Sequence, residues 1–289
     1  MLGLISSSRT CTGIEGPPRR PADILKQRFE RSERDRVRVA NNNLALVMLT
    51  IDVSTSLLTM TRFPRPGCWF RFTPADWYFI RDTLATNERD REGFNAILDD
   101  PQAIPLILDN DKLFEAVVIS RKGLTLSPEL FFFLVIRHTL KERGISQMEV
   151  ADYMTVVFAD FGCGARKGPD EVNRSVDSLY SVDYLEAIQQ AGGHHKFFLH
   201  VQCANQFLVL TCLYPDFIHR RAERRGAPDV DYYEHVVVSH LEAASRHALA
   251  DEFELEETLG LVADAFPKAR RAMNHTVREY LSLGQSGTF

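Results

Sequence analysis

The chain has 289 residues, of which 45% are hydrophobic and 25% charged. That composition supports a sizeable folded core and excludes disorder over most of the length. A net charge of −5, with a pI near 6.0, leaves no general positive excess for a phosphate backbone or an anionic membrane.

Residues 1–20 are rich in Ser, Thr, Gly and Pro and read as a disordered tail without a signal peptide's apolar core. Residues 19–38 carry eight basic and four acidic side chains, a local +4 against about −9 for the rest. The interspersed Glu30, Glu33 and Asp35 suit a solvated helix with i,i+3 and i,i+4 pairs, extending to about Asn41. The apolar stretch 44–60 carries Asp52 and many Ser and Thr, is short for a membrane span, and fits either helix or strand in a core.

Helix punctuation is plain from there on. Thr73-Pro74 with Asp76 predicts an N-cap, a proline in the first turn and an acidic third position, with a helix to about Ala85. Ser127-Pro128-Glu129 repeats the signal, and Gly144 closes that helix. Ser146 and Glu149 predict a capping box for a helix ending at Gly162, followed by a polar loop over 162–177. Asp183 opens the next helix and Gly192-Gly193 ends it. Residues 195–214 are apolar on nearly every side, which predicts a central helix with Phe198, Val201, Leu208 and Val209 inaccessible. Pro228 or Asp229 starts a helix whose inner stripe is Tyr233, Val236, Val237, His240, Leu241, Ala244 and His247. Residues 253–266 form an amphipathic helix that Pro267 breaks or kinks. A last helix to about Leu283 turns Met273, Val277, Tyr280 and Leu281 inward.

The expected fold is therefore all-α: a helical bundle over 124–283, with a mainly helical N-terminal region packed on it. The corresponding division is a tail at 1–20, an N-terminal region at 21–120 and the bundle at 121–289.

Within the bundle, Leu213-Tyr214-Pro215, Arg220-Arg221, Val230-Asp231-Tyr232-Tyr233 and Ala243-Ala244-Ser245 make a pattern of apolar helix, proline, basic turn and small-residue helix. This resembles a group of uncharacterised bacterial proteins over roughly the C-terminal half, with 149–161 as the helix preceding that core. The resemblance implies a bacterial all-α bundle and no particular activity. The chain departs from the group where the group often has glycine beside the apolar helix, and Cys203 and Cys212 lie nearby.

Chemistry-bearing residues are sparse. Cys11, Cys68, Cys163, Cys203 and Cys212 form no CxxC pair, and Cys203 and Cys212 on one helix would stand about 13 Å apart. Reduced thiols, and hence a soluble cytoplasmic protein, are the expectation. Seven histidines fall in 194–247, but no Glu-x-x-His motif accompanies them, so no metal or other cofactor is expected. Residues 140–154 resemble the first two helices of a helix-turn-helix, but the apolar periodicity runs on through 155–161 where a turn and a recognition helix belong. Gln202, Asn205 and Gln206 are amides within the most apolar helix. Either they hydrogen-bond to neighbouring helices, or Gln202 and Asn205 line a ligand pocket with Tyr233 and His240. Asn205 or Gln202 is then the expected partner of the Tyr233 hydroxyl, and Asp231 is expected to meet Arg220, Arg221 or Arg224. The leading functional expectation is a non-enzymatic interaction or regulatory protein with an unidentified protein partner or a second copy of itself. A small-molecule binder or enzyme with that pocket is the alternative, and a nucleic-acid binder is third; neither specific nucleic acid nor a membrane is an expected partner.

Overall fold

The computed structural model describes residues 67–98, 100, 102–119, 126–164 and 181–278. The expectations for the tail, the basic segment, 44–60, most of the loop over 162–177, Tyr280 and Leu281 lie outside these residues. Among the described residues every regular element is a helix, and the fold is all-α.

A 3-10 turn, Cys68–Arg71, leads into α1, Pro74–Leu84. The predicted cap is present: the Thr73 side chain accepts from the Asp76 N–H, and Asp76 accepts from the Thr73 N–H at 2.7 Å. Asp76 is fully buried, and its second oxygen accepts from the Ser127 N–H at 2.8 Å. Ser127 in turn caps α5, Pro128–Glu142. One carboxylate thus supplies an acceptor at the starts of two helices, where N–H groups lack intrahelical partners. Between them lie α2 (Glu88–Leu98), α3 (Ala103–Leu108) and α4 (Asp111–Ile119). Arg137 of α5 donates to Asp109 at 2.6 Å, Lys141 reaches Asp109 and Asp111, and His138 stacks on Phe114. These contacts fasten the N-terminal helices to the bundle.

Gly144 closes α5 as predicted, at φ 67°, with its N–H on Lys141 O and that of Ile145 on Leu140 O. α6 spans Met148–Gly164, starting one residue later than a Ser146 cap requires and ending two after Gly162. The Ser146 carbonyl instead accepts from Arg137. α6 runs unbroken through 155–161, so no turn or recognition helix follows the α5–α6 hairpin there. α7, Ser181–Gln190, opens two residues before Asp183.

α8, Gly193–Leu213, is the central helix, with nearly every residue after Val201 buried. Phe198 corrects the expectation: it is 39% exposed, because the first turns of α8 project beyond the packing of their neighbours. α9, Pro215–Arg225, leaves α8 at 95°. Pro215 has no N–H, so Thr211 O loses its helical donor and the ladder fails at Cys212 O. Asn274 replaces both, donating to Thr211 O at 2.8 Å and Cys212 O at 2.9 Å. Among the described residues no single helix is long and apolar enough to cross a membrane.

α10 spans Val230–Ser245, with Asp229 accepting from the Tyr232 N–H as its cap. The short α11, Ala248–Glu252, follows, its first turn capped by His247. α12, Glu256–Thr276, continues through Pro267, so the two helices expected on either side of that proline are one. Burial of Ala263, Phe266, Ala269 and Arg270 on both flanks offsets the hydrogen bond that Pro267 cannot donate. α12 packs against α5, α6, α8 and α10, and α8 packs most extensively against α10. Among the described residues a single hydrophobic cluster runs from Cys68 to Val277 and takes in both the N-terminal helices and the bundle.

Candidate functional site

Of the anticipated site residues, the α8–α10 interface brings Tyr233 and His240 against α8. α10 turns Tyr233, Val237, His240, Leu241 and Ala244 to the core, a stripe at helical spacing. Tyr233 stacks on Phe207 of α8, with ring centroids 4.8 Å apart and an interplanar angle of 16°. Seven residues further along α10, His240 meets His200, which lies seven residues back along α8. The two contacts share one antiparallel register, two helical turns apart on each helix.

His200 and His240 approach Nδ1 to Nδ1 at 2.9 Å. One ring must therefore donate and the other accept, which fixes opposite tautomers. The donor keeps a lone pair on Nε2 and the acceptor carries its proton there. Burial, then the neighbouring His200, pushes His240 down to about 4. Burial, then Lys196 and His247, lowers His200. Both shifts favour the neutral rings, a state in which one facing Nδ1 is free to accept.

The amides of α8 face other helices. Asn205, 2% exposed, accepts on its Oδ1 from the Tyr153 hydroxyl of α6 at 2.7 Å. Gln206 accepts from Tyr184 of α7 at 2.6 Å. Gln202 is only half-buried. The expected Tyr233–Asn205 bond is thus replaced by Tyr153–Asn205, because Tyr233 lies over Phe207 while Asn205 points to α6. Asp231 also departs from expectation and pairs with Arg270 at 3.2 Å rather than with α9. Arg270 additionally donates to Glu234, bonding α12 to α10. Asn205 and His240 each spend a side-chain hydrogen bond on a residue outside the proposed pocket set.

Sequence reasoning passed over three partners: Tyr153, Tyr184 and His200. His200 carried a usable signal, since its spacing to Phe207 matches that of His240 to Tyr233. Tyr153 and Tyr184 carried none, because which helix faces Asn205 or Gln206 depends on the packing of non-adjacent elements.

A second polar cluster surrounds the 3-10 turn. Asp152 of α6 accepts from the N–H groups of Gly67 and Cys68, the latter at 2.6 Å, and Arg71 pairs with Asp160 at 2.7 Å. Gly67 reaches this clamp at φ 97°, a left-handed conformation that favours glycine. Burial raises the Asp152 and Glu129 carboxyls despite these donors and Arg71. The Cys68 thiol is raised by burial and then by Asp152, and burial raises Cys203 and Cys212 likewise. Raised, buried thiols are poor nucleophiles and poor metal ligands. All three are free. Among the described residues no group of three or more His, Cys, Asp or Glu side chains is placed to hold a metal ion.

Comparison with known proteins gave no match: no family model fits the chain, and neither a curated protein nor a solved structure is detectably similar to it.

Proposed function

We propose that this chain is a non-enzymatic interaction or regulatory protein built on a helical bundle, acting through a protein partner or a second copy of itself. The observation that carries the reading is where the buried polar side chains of α8 are directed. Asn205 bonds to Tyr153, Gln206 to Tyr184 and His200 to His240, so amides and imidazoles that would orient a ligand instead join helices. Membership of the bacterial group sharing the Leu213-Tyr214-Pro215 and Val230-Asp231-Tyr232-Tyr233 pattern is part of the proposal. So are a cytoplasmic location and the absence of a specific nucleic-acid partner.

Native mass spectrometry of protein purified without denaturant, beside affinity capture with both proteins and small molecules identified, tests it. The expected result is a defined complex with a protein partner or a second copy that reassembles from purified components. A stoichiometric small molecule, released by Tyr233→Phe or His240→Gln with the melting temperature unchanged, would instead establish the pocket at Gln202, Asn205, Tyr233 and His240.

A further inference from the structure

The His200–His240 contact has a property that the other polar contacts of α8 lack: acid can break it by protonation. The tyrosine–amide bonds stay neutral throughout, whereas two imidazoles can share one hydrogen bond only while at least one facing Nδ1 is unprotonated. A first proton binds the free Nε2 of the donor ring and leaves the bond intact. A second must bind the accepting Nδ1, which sets N–H against N–H between two cations.

Among the described residues no acidic side chain is paired with either ring to offset that second charge. The charged and titratable groups acting on the pair are Lys196 of α8 and His247 from the turn after α10, each cationic when protonated. Among the described residues, no carboxylate of α6, α7, α10, α11 or α12 forms an ion pair with either ring, although Arg270, where α12 meets α10, has both Asp231 and Glu234. His240 is 7% exposed and His200 half-buried, so water reaches the pair from the His200 side only. The surrounding contacts are aromatic: Phe197 lies 5.4 Å from the His247 ring and 6.1 Å from that of Phe253, centroid to centroid. This corner, where the first half of α8 meets the end of α10 and the turn into α11, can separate without breaking an ion pair to either histidine.

We infer that the His200–His240 pair is a proton-operated latch between α8 and α10, closed while the rings share a proton and released when both facing nitrogens are protonated. Release loosens the corner formed by Phe197, His247 and Phe253 while the Phe207–Tyr233 stack holds the remainder of the interface. The inference stands independently of the proposed function: either an interaction protein or a ligand binder could carry it.

The test is hydrogen exchange of the full chain at pH 7.5 and pH 4.5, with protection factors corrected for intrinsic exchange, beside imidazole nitrogen shifts by NMR. The expected result for the wild type is a fall in protection of about tenfold or more over 196–203 and 237–244 between the two conditions. His200→Gln and His240→Gln keep a neutral side chain that does not titrate, and both are expected to abolish that fall. Equal wild-type protection at the two pH values, or a fall that persists in both variants, would overturn the latch. Should the variants not fold, wild-type spectra decide. A coupled pair with one protonated Nδ1 at pH 7.5 supports it, and two rings titrating independently near the ordinary histidine value overturn it. A zinc-dependent rise in melting temperature that requires both histidines would also overturn it, marking the pair as metal ligands.

Discussion

Asp76 joins two helix starts through one side chain, and its removal is expected to cost more than a typical buried polar deletion. Asp76→Ala withdraws acceptors from Thr73 and Ser127 N–H groups in a buried setting. Losing the cap and stranding those donors predicts a cost of about 2–4 kcal/mol, measurable by urea denaturation. A cost below that of an ordinary exposed cap would mean the α1–α5 junction is wrongly described. The cysteines provide a second test at this scale. Cys68, Cys203 and Cys212 are buried with raised thiol pKa values, so none should be alkylated in the native protein at pH 8 over a time that modifies an exposed thiol fully. Peptide mapping by mass spectrometry reads each site separately. The Asp76 cap was legible in the sequence because Thr73, Pro74 and Asp76 are local neighbours. Its second bond, to Ser127, was not, because the two residues are brought together only by packing of α1 and α5.

For single elements, the central claim concerns α8. Leu208 is fully buried, and Leu208→Ala should cost about 2–5 kcal/mol. Phe198→Ala should cost clearly less, although it removes a larger side chain, since Phe198 lies at the exposed beginning of the helix. Equal losses at both positions, in matched denaturation curves, would contradict the placement of α8. Sequence reading identified α8 as central but misplaced Phe198: a helix apolar on nearly every side carries little periodicity to show which turns project beyond its neighbours. Pro267 misled in the opposite direction. A proline signals a helix break locally, and only the burial of Ala263, Phe266, Ala269 and Arg270 around it shows why α12 continues. Gly226 ends α9 at φ 60°, and a Cβ there would meet nothing within 4 Å. Gly226→Ala is therefore expected to cost about 1 kcal/mol from backbone conformation alone.

Among the described residues one hydrophobic cluster runs from Cys68 to Val277, so α1–α4 and the bundle should unfold together. Both tryptophans of the chain, Trp69 and Trp77, lie in the N-terminal part, so their fluorescence reports that part while far-ultraviolet circular dichroism reports all the helices. Coincident urea transitions are expected; separate midpoints would divide the chain into two cooperative units. Acid stability should carry the signature of His240. Its ring is held at about 4 in the fold against 6.5 when exposed, so its contribution is complete above 6.5 and is lost as pH falls toward 4. Asp152 and Glu129 are raised by burial and act in the opposite sense, their penalty fading as pH falls through the raised values. The difference between wild type and His240→Gln isolates the histidine. Binding of α8's buried polar groups to neighbouring helices rather than to a ligand is tested most directly by a double-mutant cycle on Tyr153→Phe and Asn205→Leu. A favourable coupling of about 1 kcal/mol or more between them is predicted. Additive losses, with no coupling beyond error, would contradict the account.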